Sequence, residues 1–424
     1  MAEKKPQNLQ GLADLEEQVV EILELPTDEQ PLAFEQLRAR LPEHADLLVR
    51  LEQAANTLVP GTAQTPDQVG PYRILDVLGE GGMGMVYLAE QSEPVHRQVA
   101  LKVIKLGMDS KQVLARFEVE RRALGLMNHD CIAKVFDAGM TETGQPYFVM
   151  EHVGGLPLTD YCDTYKLTLS ERIDLFREIC AGVQHAHQKG VIHRDLKPSN
   201  IIVVRDGERV VPKIIDFGLA RATDRQLVQQ TLLTVQGQML GTPEYMSPEQ
   251  TTMDVDRIDT RTDVWSLGVV LYELLTGELP FQGSGTPRAG SRELERLVCE
   301  EEPPKPSTRV STESKRASEC AQHRQTSVHG LVRQLRGDLD WIVIKAMRKE
   351  PERRYATAAE LSMDLKRHLD HEPVLAGPPG TAYRIRKFVR RYRLEVASAA
   401  LVFITAVAGA AVAWDYAVEA EARA

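Results

Sequence analysis

The segment from His193 to Gly218 constrains the fold of this chain more than any other. It opens His193-Arg194-Asp195-Leu196-Lys197-Pro198-Ser199-Asn200, continues through an apolar run from Ile201 to Val204, turns at Asp206-Gly207 and reaches Asp216-Phe217-Gly218. A carboxylate, an amine, an amide and a second carboxylate are thereby spaced around strand-forming residues that hold them in register. Taken singly the parts say little, because Asp-Phe-Gly is a common turn tripeptide and His-Arg-Asp is hardly more telling. Their order and spacing carry the information.

Those four groups suit the movement of a phosphoryl group onto a hydroxyl. Such transfer passes through a loose transition state with charge on the equatorial oxygens, so positioning and charge neutralisation dominate. Asp195 can orient and deprotonate an attacking hydroxyl, Lys197 can offset charge on the transferring group, and Asn200 with Asp216 can offer hard oxygen ligands to Mg2+. Upstream, the strand-like run Tyr72 to Leu78 leads into Gly79-Glu80-Gly81-Gly82-Met83-Gly84-Met85-Val86. A G-x-G-x-x-G can also open a dinucleotide-binding unit, where a helix follows. Here Tyr87-Leu88-Ala89 continues as a strand, which favours a hairpin whose Gly79, Gly81 and Gly84 let backbone N–H groups approach phosphates. Val99-Ala100-Leu101-Lys102 then ends a strand in one lysine, either a solvated strand end or an amine for the α- and β-phosphates.

Together these motifs resemble the Hanks-type (eukaryotic-like) protein kinase family over residues 71–370. The resemblance implies an α+β, two-lobed protein kinase fold, with a small β-rich N-lobe, a large helical C-lobe, and ATP and Mg2+ in the cleft. It implies catalytic roles for Asp195, Lys197, Lys102 and Glu120, the last chosen by matching Arg116-Phe117 and Asn128-His129 to the family's helix C, with Glu118 as the alternative. Leu78, Gly79, Gly81, Gly84, Val86, Ala100, Lys102, Met150, Glu151, Val153 and Ile202 are implied to surround the nucleotide, with Met150 as gatekeeper, the backbone of Glu151 and Val153 on the base, and Ile202 as floor. Asn200 and Asp216 are the implied metal ligands. Asp195-Leu196-Lys197-Pro198 and Gly241-Thr242-Pro243-Glu244-Tyr245-Met246-Ser247-Pro248-Glu249 resemble serine/threonine rather than tyrosine kinases. Ser247 stands where the family commonly has Ala. In the family an arginine at Arg194 pairs with a phosphorylated loop, so Thr231 or Thr234 is expected to be phosphorylated in trans, within a homodimer. Asp263 is expected to hold the catalytic loop's backbone, and Arg354 to pair with Glu249.

The flanks read differently. Residues 1–58 show helical stripes (Leu12, Leu15, Val19 and Ile22; Leu48, Leu51, Ala55 and Leu58) and a capping-box pair, Thr27 with Gln30, so a helical extension is expected, followed by a linker at 59–70. A docking or dimerisation role is open to it. The helix at Leu169 to Lys189 carries His185 and His187, better read as packed or exposed histidines than as a metal pair. Gln282 to Leu335 reads as helix G followed by a long, poorly ordered loop, and helices are expected to close the domain at Leu369. A basic segment at 371–395 precedes an uncharged run from Val396 to Trp414, which at 1.5 Å per residue spans roughly 28 Å. That run is expected to be a transmembrane helix with a short outer tail at 415–424; a buried or partner helix is the alternative. The cationic flank puts the catalytic domain on the cytoplasmic side of the cell (inner) membrane, single-pass.

Composition closes off other classes. The net charge of -10 argues against a nucleic-acid partner. Cys131, Cys162, Cys180, Cys299 and Cys320 form no Cys-x-x-Cys pair, so a disulfide framework or zinc site is not expected. The N-terminus lacks the apolar core of a cleavable signal. The expected activity is ATP-dependent phosphorylation of protein Ser and Thr, in membrane-linked signalling. The rivals are a scaffold that binds without catalysing, disfavoured by Lys102, Asp195, Asn200 and Asp216, and a kinase of small molecules, disfavoured by Gly241 to Glu249.

Overall fold

A computed structural model describes residues 22, 30–41, 66–81, 84–104, 125, 127–207, 209–217, 243–252, 254, 257–281, 287–310, 315–378 and 380–423. The chain divides into two units, Met1–Gln68 and Val69–Ala424. In the first, helix α1 (Gln30–Arg40) buries Phe34 and Leu37 with Ile22, and Ala33 and Leu41 pack beside them. The other expected stripes, Leu12 to Val19 and Leu48 to Leu58, and the cap at Thr27 lie outside the described residues.

From Gln68 onward the chain forms a sheet of order β1-β2-β3-β4-β6-β5, made of β1 (Gln68–Val69), β2 (Tyr72–Gly81), β3 (Gly84–Gln91), β4 (Arg97–Ile104), β5 (Val135–Met140) and β6 (Pro146–Glu151). Alternation along the strands sorts side chains onto two faces. Tyr87, Ala89, Val99, Leu101, Val103, Tyr147 and Val149 form one cluster. Ala100, Ile104, Phe148 and Met150 belong to the large core shared with the helices, and Val86 packs against it. Lys102, flanked by Leu101 and Val103, therefore falls on the face that looks toward the helical lobe.

A second sheet, β7 (Leu156–Pro157), β8 (Ile201–Asp206) and β9 (Arg209–Ile214), carries the catalytic segment. Around it lie α2 (Leu158–Thr164) and α3 (Leu169–Gln188), the latter started by a reciprocal capping box between Thr168 and Glu171. Past the short α4 (Pro248–Thr251), the helix α5 (Thr260–Thr276) is capped by Asp259, which accepts from the Arg261 N–H at 2.7 Å. It ends at Gly277, whose φ of 73° suits a residue without Cβ. From Val264 to Leu275 its apolar residues are almost wholly buried, which makes α5 the post on which the helical lobe is built.

The region expected to be an ordered helix followed by a loose loop is instead helical through most of its described length. It forms α6 (Pro287–Glu300), α7 (Pro306–Val310), α8 (Lys315–His323) and α9 (Val328–Leu335). The polar composition misled, because a few apolar residues at helical spacing suffice: Leu294, Val298, Val310, Ala321, Leu331 and Leu335 are buried. Polar groups pin the pieces as well. Asp340 accepts from Ser307 N at 2.9 Å and Ser307 Oγ at 2.8 Å, and the buried Arg324 donates to the Cys320 and Leu274 carbonyls at 2.8 Å each.

Helices α10 (Asp338–Ala346) and α11 (Ala358–Leu369) close the lobe. Beyond them α12 (Thr381–Arg391) meets α13 (Arg393–Arg423). Among the described residues no single helix is long and apolar enough to cross a membrane; the bent pair Thr381–Val389 and Leu394–Ala410, at 94°, meets that test by length and composition. The expected outer tail begins within α13, which runs on to Arg423.

Candidate active site

Strand register assembles the nucleotide side of the cleft. Gly79 pairs with Val86, Val86 with Lys102 and Lys102 with Phe148, so four residues remote in sequence stand in one row across the sheet. One step along, Ala100 pairs with Met150, and both are nearly buried. Gly79 and Gly81 have open space where a Cβ would point, whereas a Cβ on Gly84 would meet the Val103 carbonyl oxygen at 2.0 Å. The first two thus leave room for a ligand, and Gly84 is required by the close passage of β3 over β4. Leu78, at the rim, is 47% exposed.

The hinge follows β6. Glu151 donates its N–H to the Lys134 carbonyl at 2.8 Å, and its carboxylate holds Lys134 N at 3.1 Å and Lys213 Nζ at 3.0 Å. Its side chain therefore braces the hinge against β9, with the half-buried Val153 and Ile202 nearby in the hinge and on β8.

The acceptor side is built from the catalytic segment. Lys102 Nζ lies 2.8 Å from Asp216 Oδ1, which joins the sheet to the segment's far end. Lys197 Nζ lies 3.2 Å from Asp195 Oδ2. Asn200 donates its amide N–H groups to the Asp195 carbonyl at 2.8 Å and to Asp195 Oδ2 at 3.1 Å. Arg194 and Asp216 occupy the left-handed region, at φ 64° and 58°, conformations that cost free energy for residues with a Cβ and are kept by the surroundings.

Those surroundings centre on Asp263. Its carboxylate accepts from the backbone N–H of His193 and of Arg194, each at 2.8 Å, and contacts His187 Nε2 at 2.7 Å. Burial pushes its carboxyl up, but the hydrogen bond and charge of His187 and the His193 N–H outweigh burial and hold it below the usual carboxylate range. His193 in turn reaches the Ile215 carbonyl at 3.0 Å and stacks on Phe217, centroids 4.7 Å apart, tying the two ends of the segment together. Gln250 donates to the Arg194 carbonyl at 2.8 Å. Below, Glu249 receives two Arg354 bonds of 2.7 Å and one from Thr262 Oγ1 at 2.9 Å. Burial raises the Glu249 carboxyl, yet Arg354 brings it to a net lowered value.

The structure thus brings together Lys102, Asp195, Lys197, Asn200 and Asp216. Glu120 and its alternative Glu118, and the loop threonines 231, 234 and 242, lie outside the described residues. His187, for which the sequence leaves a packed or an exposed place open, is packed on Asp263; that bond, and the roles of Gln250 and the Glu151 side chain, leave no mark in the sequence that distinguishes them from ordinary surface polar residues. Among the described residues no group of His, Cys, Asp and Glu is arranged to hold a metal on its own. A cation at Asn200 and Asp216 fits the donors present: Asn200 spends its amide nitrogen on Asp195, which leaves the amide oxygen, and Asp216 keeps its second oxygen beyond Lys102.

A family model described as protein kinase domain matches residues 72–364. The serine/threonine-protein kinase PknB of Mycobacterium leprae is 37% identical over 308 residues, 71% of this chain and 43% of the relative. Serine/threonine-protein kinase Pkn1 of Myxococcus xanthus is 35% identical over 294 residues, 68% of this chain and 37% of the relative. The chain thus spans less than half the length of these curated relatives. Among solved structures, the PknI kinase domain of Mycobacterium tuberculosis aligns with a TM-score of 0.49 at 21% identity, covering 73% of this chain and 100% of that one.

Proposed function

Because the chain belongs to the protein kinase domain family, we propose that it transfers the γ-phosphoryl group of ATP to Ser and Thr hydroxyls of proteins, from the cytoplasmic face of a membrane to which α13 anchors it. The observation that carries the catalytic reading is the 2.8 Å contact of Lys102 with Asp216, made above an Asp195 carboxylate clamped by Asn200 and Lys197. Asp195 sits on a backbone fixed by Asp263 and can align a substrate hydroxyl and accept its proton. Lys197 offsets negative charge beside it, and Lys102 steadies phosphate oxygens from the sheet side. Mg2+, held through the Asn200 amide oxygen and Asp216, would supply further charge neutralisation to the phosphates. The Ser/Thr preference rests on Asp195-Leu196-Lys197-Pro198 and on the names of the relatives.

The regulatory part of the proposal is autophosphorylation in trans at Thr231 or Thr234, within a homodimer, read through Arg194. The membrane part rests on the uncharged run 396–414 following six cations between Arg384 and Arg393, and on the large exposure of Leu401, Val402, Phe403, Ile404, Val407 and Trp414 around α13. Purified chain incubated with radiolabelled ATP, Mg2+ and a generic basic protein is expected to yield phosphoserine and phosphothreonine. Lys102→Met and Asp195→Asn are expected to abolish the label, and unchanged labelling by either variant overturns the reading.

A further inference from the structure

Helix α12 is fastened to the catalytic lobe along one edge and bare along the other. On the fastened edge the Tyr383 hydroxyl donates to Asp338 Oδ1 at 2.9 Å, and the Lys387 ammonium binds Asp338 Oδ2. The Tyr383 ring stands edge-on to Trp341, centroids 5.4 Å apart, and one turn further Arg391 pairs with Glu372. His368 adds a third contact to Asp338, at 3.0 Å. Burial raises the Asp338 carboxyl, and His368 and Lys387 more than reverse this, to about 2, so the anchor point is ionised at any physiological pH.

The bare edge is apolar. Ile385, Phe388, Val389 and Tyr392 are 63%, 58%, 42% and 36% exposed. At about 100° per residue, the positions 385, 388, 389 and 392 lie opposite 383 and 387. Ile385, Phe388 and Tyr392 of this strip, with Arg384, also line an open groove of about 470 Å³ beside the turn at 371–373. The stretch from Arg384 to Arg393 holds six cations. Finally, Thr381–Val389 and Leu394–Ala410 meet at 94°, so a bilayer entered by the uncharged run 396–414 has α12 lying along its surface.

We propose that α12 lies in the interface of an anionic bilayer, with Ile385, Phe388, Val389 and Tyr392 in the boundary between headgroups and acyl chains and Arg384 on lipid phosphate, while Lys387 and Arg391 stay on Asp338 and Glu372. Through Tyr383, Lys387 and Asp338 the same helix grips the lobe, so the catalytic cleft is held at a set height and tilt and does not swing on a loose tether. This rests on the membrane reading above. The bilayer is preferred to a second protein as the occupant because apolar strip, flanking cations and right-angle turn all suit a charged lipid surface.

The test uses the full chain carrying Phe388→Trp and Trp414→Phe, with the emission of the Trp414→Phe chain, which keeps Trp265 and Trp341, subtracted; both are reconstituted into vesicles of phosphatidylcholine alone or mixed with phosphatidylglycerol, with lipids brominated near or far from the headgroup. Phe388 is exposed, so its replacement leaves folding intact. Expected is a loss of emission with bromines near the headgroup, larger than with deep bromines, and reduced when phosphatidylglycerol is omitted or Arg384→Glu is added. Unquenched emission from chain that resists alkaline extraction overturns this proposal and leaves the anchor standing. Chain that alkali removes, yet is quenched on phosphatidylglycerol vesicles at neutral pH, keeps α12 at the surface and overturns the anchor. Cross-linking of position 388 to a second chain, without quenching, also overturns the proposal in favour of a protein partner.

Discussion

The catalytic loop at 192–200 and the glycine-rich hairpin opposite it stand on different foundations. The loop hangs by two backbone bonds from Asp263, which has no exposed surface, and His193 beside it is 1% exposed. Along β2, by contrast, the residues after Ile74 are all exposed, and Gly79 has no neighbouring atom where a side chain would stand. Opening the loop means breaking into the core of the helical lobe, whereas opening the hairpin costs only strand pairing. The groups proposed to do chemistry are thus tied to the buried core, and the strand proposed to cover the nucleotide is exposed.

The sharpest way to break this comparison is Asp263→Ala, which is expected to have the largest effect of any change outside the reacting groups. It strips two backbone N–H groups and His187 of a buried acceptor, and phosphotransfer is expected to fall by about a hundredfold or more through misplacement of Asp195, measured with labelled ATP on protein whose fold is checked by circular dichroism. Arg354→Met comes next. It strands the buried Glu249 carboxylate, so urea denaturation is expected to show a loss of about 3–5 kcal/mol, and Glu249→Gln added to it is expected to recover part.

On the same rigid side, Asp338 supplies a pH signature. Its folded value of about 2 lies below the ordinary 3.8. The folded state therefore gains stability, on the order of 2 kcal/mol, that is complete above about pH 4 and is lost as pH falls through about 2. Stability measured across that window is expected to flatten in Asp338→Asn. The hairpin side gives the smallest effects and a split within itself. Gly84→Ala forces a Cβ against the Val103 carbonyl and is expected to cost about 1–3 kcal/mol, while Gly79→Ala is expected to change stability by under about 1 kcal/mol and to act on the KM for ATP instead. Equal losses at the two glycines erase the contrast between buried and open backbone.

Much of the site was legible because Lys102 lies on a strand whose alternation sets its face, and because Asp195, Lys197, Asn200 and Asp216 keep motif spacing in the loops flanking β8 and β9. Lys102 had to share a face with Ala100, and Asn200 had to follow Asp195 at fixed spacing. The Asp263 and Arg354 supports were readable through resemblance alone, since nothing local marks a carboxylate as the hanger for a loop about seventy positions away. The helices between Pro287 and Leu335 were illegible for another reason. Their polar, Pro- and Ser-rich composition imitates a loop, and what orders them is tertiary: Asp340 on Ser307, and Arg324 spending its donors on carbonyls of α5 and α8. The docked edge of α12 was hidden likewise, because a lysine in a basic run gives no sign that it will be buried on an aspartate of α10.

The most direct measurement is a single-turnover phosphotransfer assay with the wild-type chain, Lys102→Met and Asp195→Asn side by side, each loaded with radiolabelled ATP and Mg2+ and read by phosphoamino-acid analysis. Wild type is expected to deposit label on serine and threonine, Asp195→Asn to bind nucleotide without transferring it, and Lys102→Met to do neither well. Label transferred equally by all three, or ATP never consumed by the wild type, contradicts a site in which these side chains converge on one triphosphate.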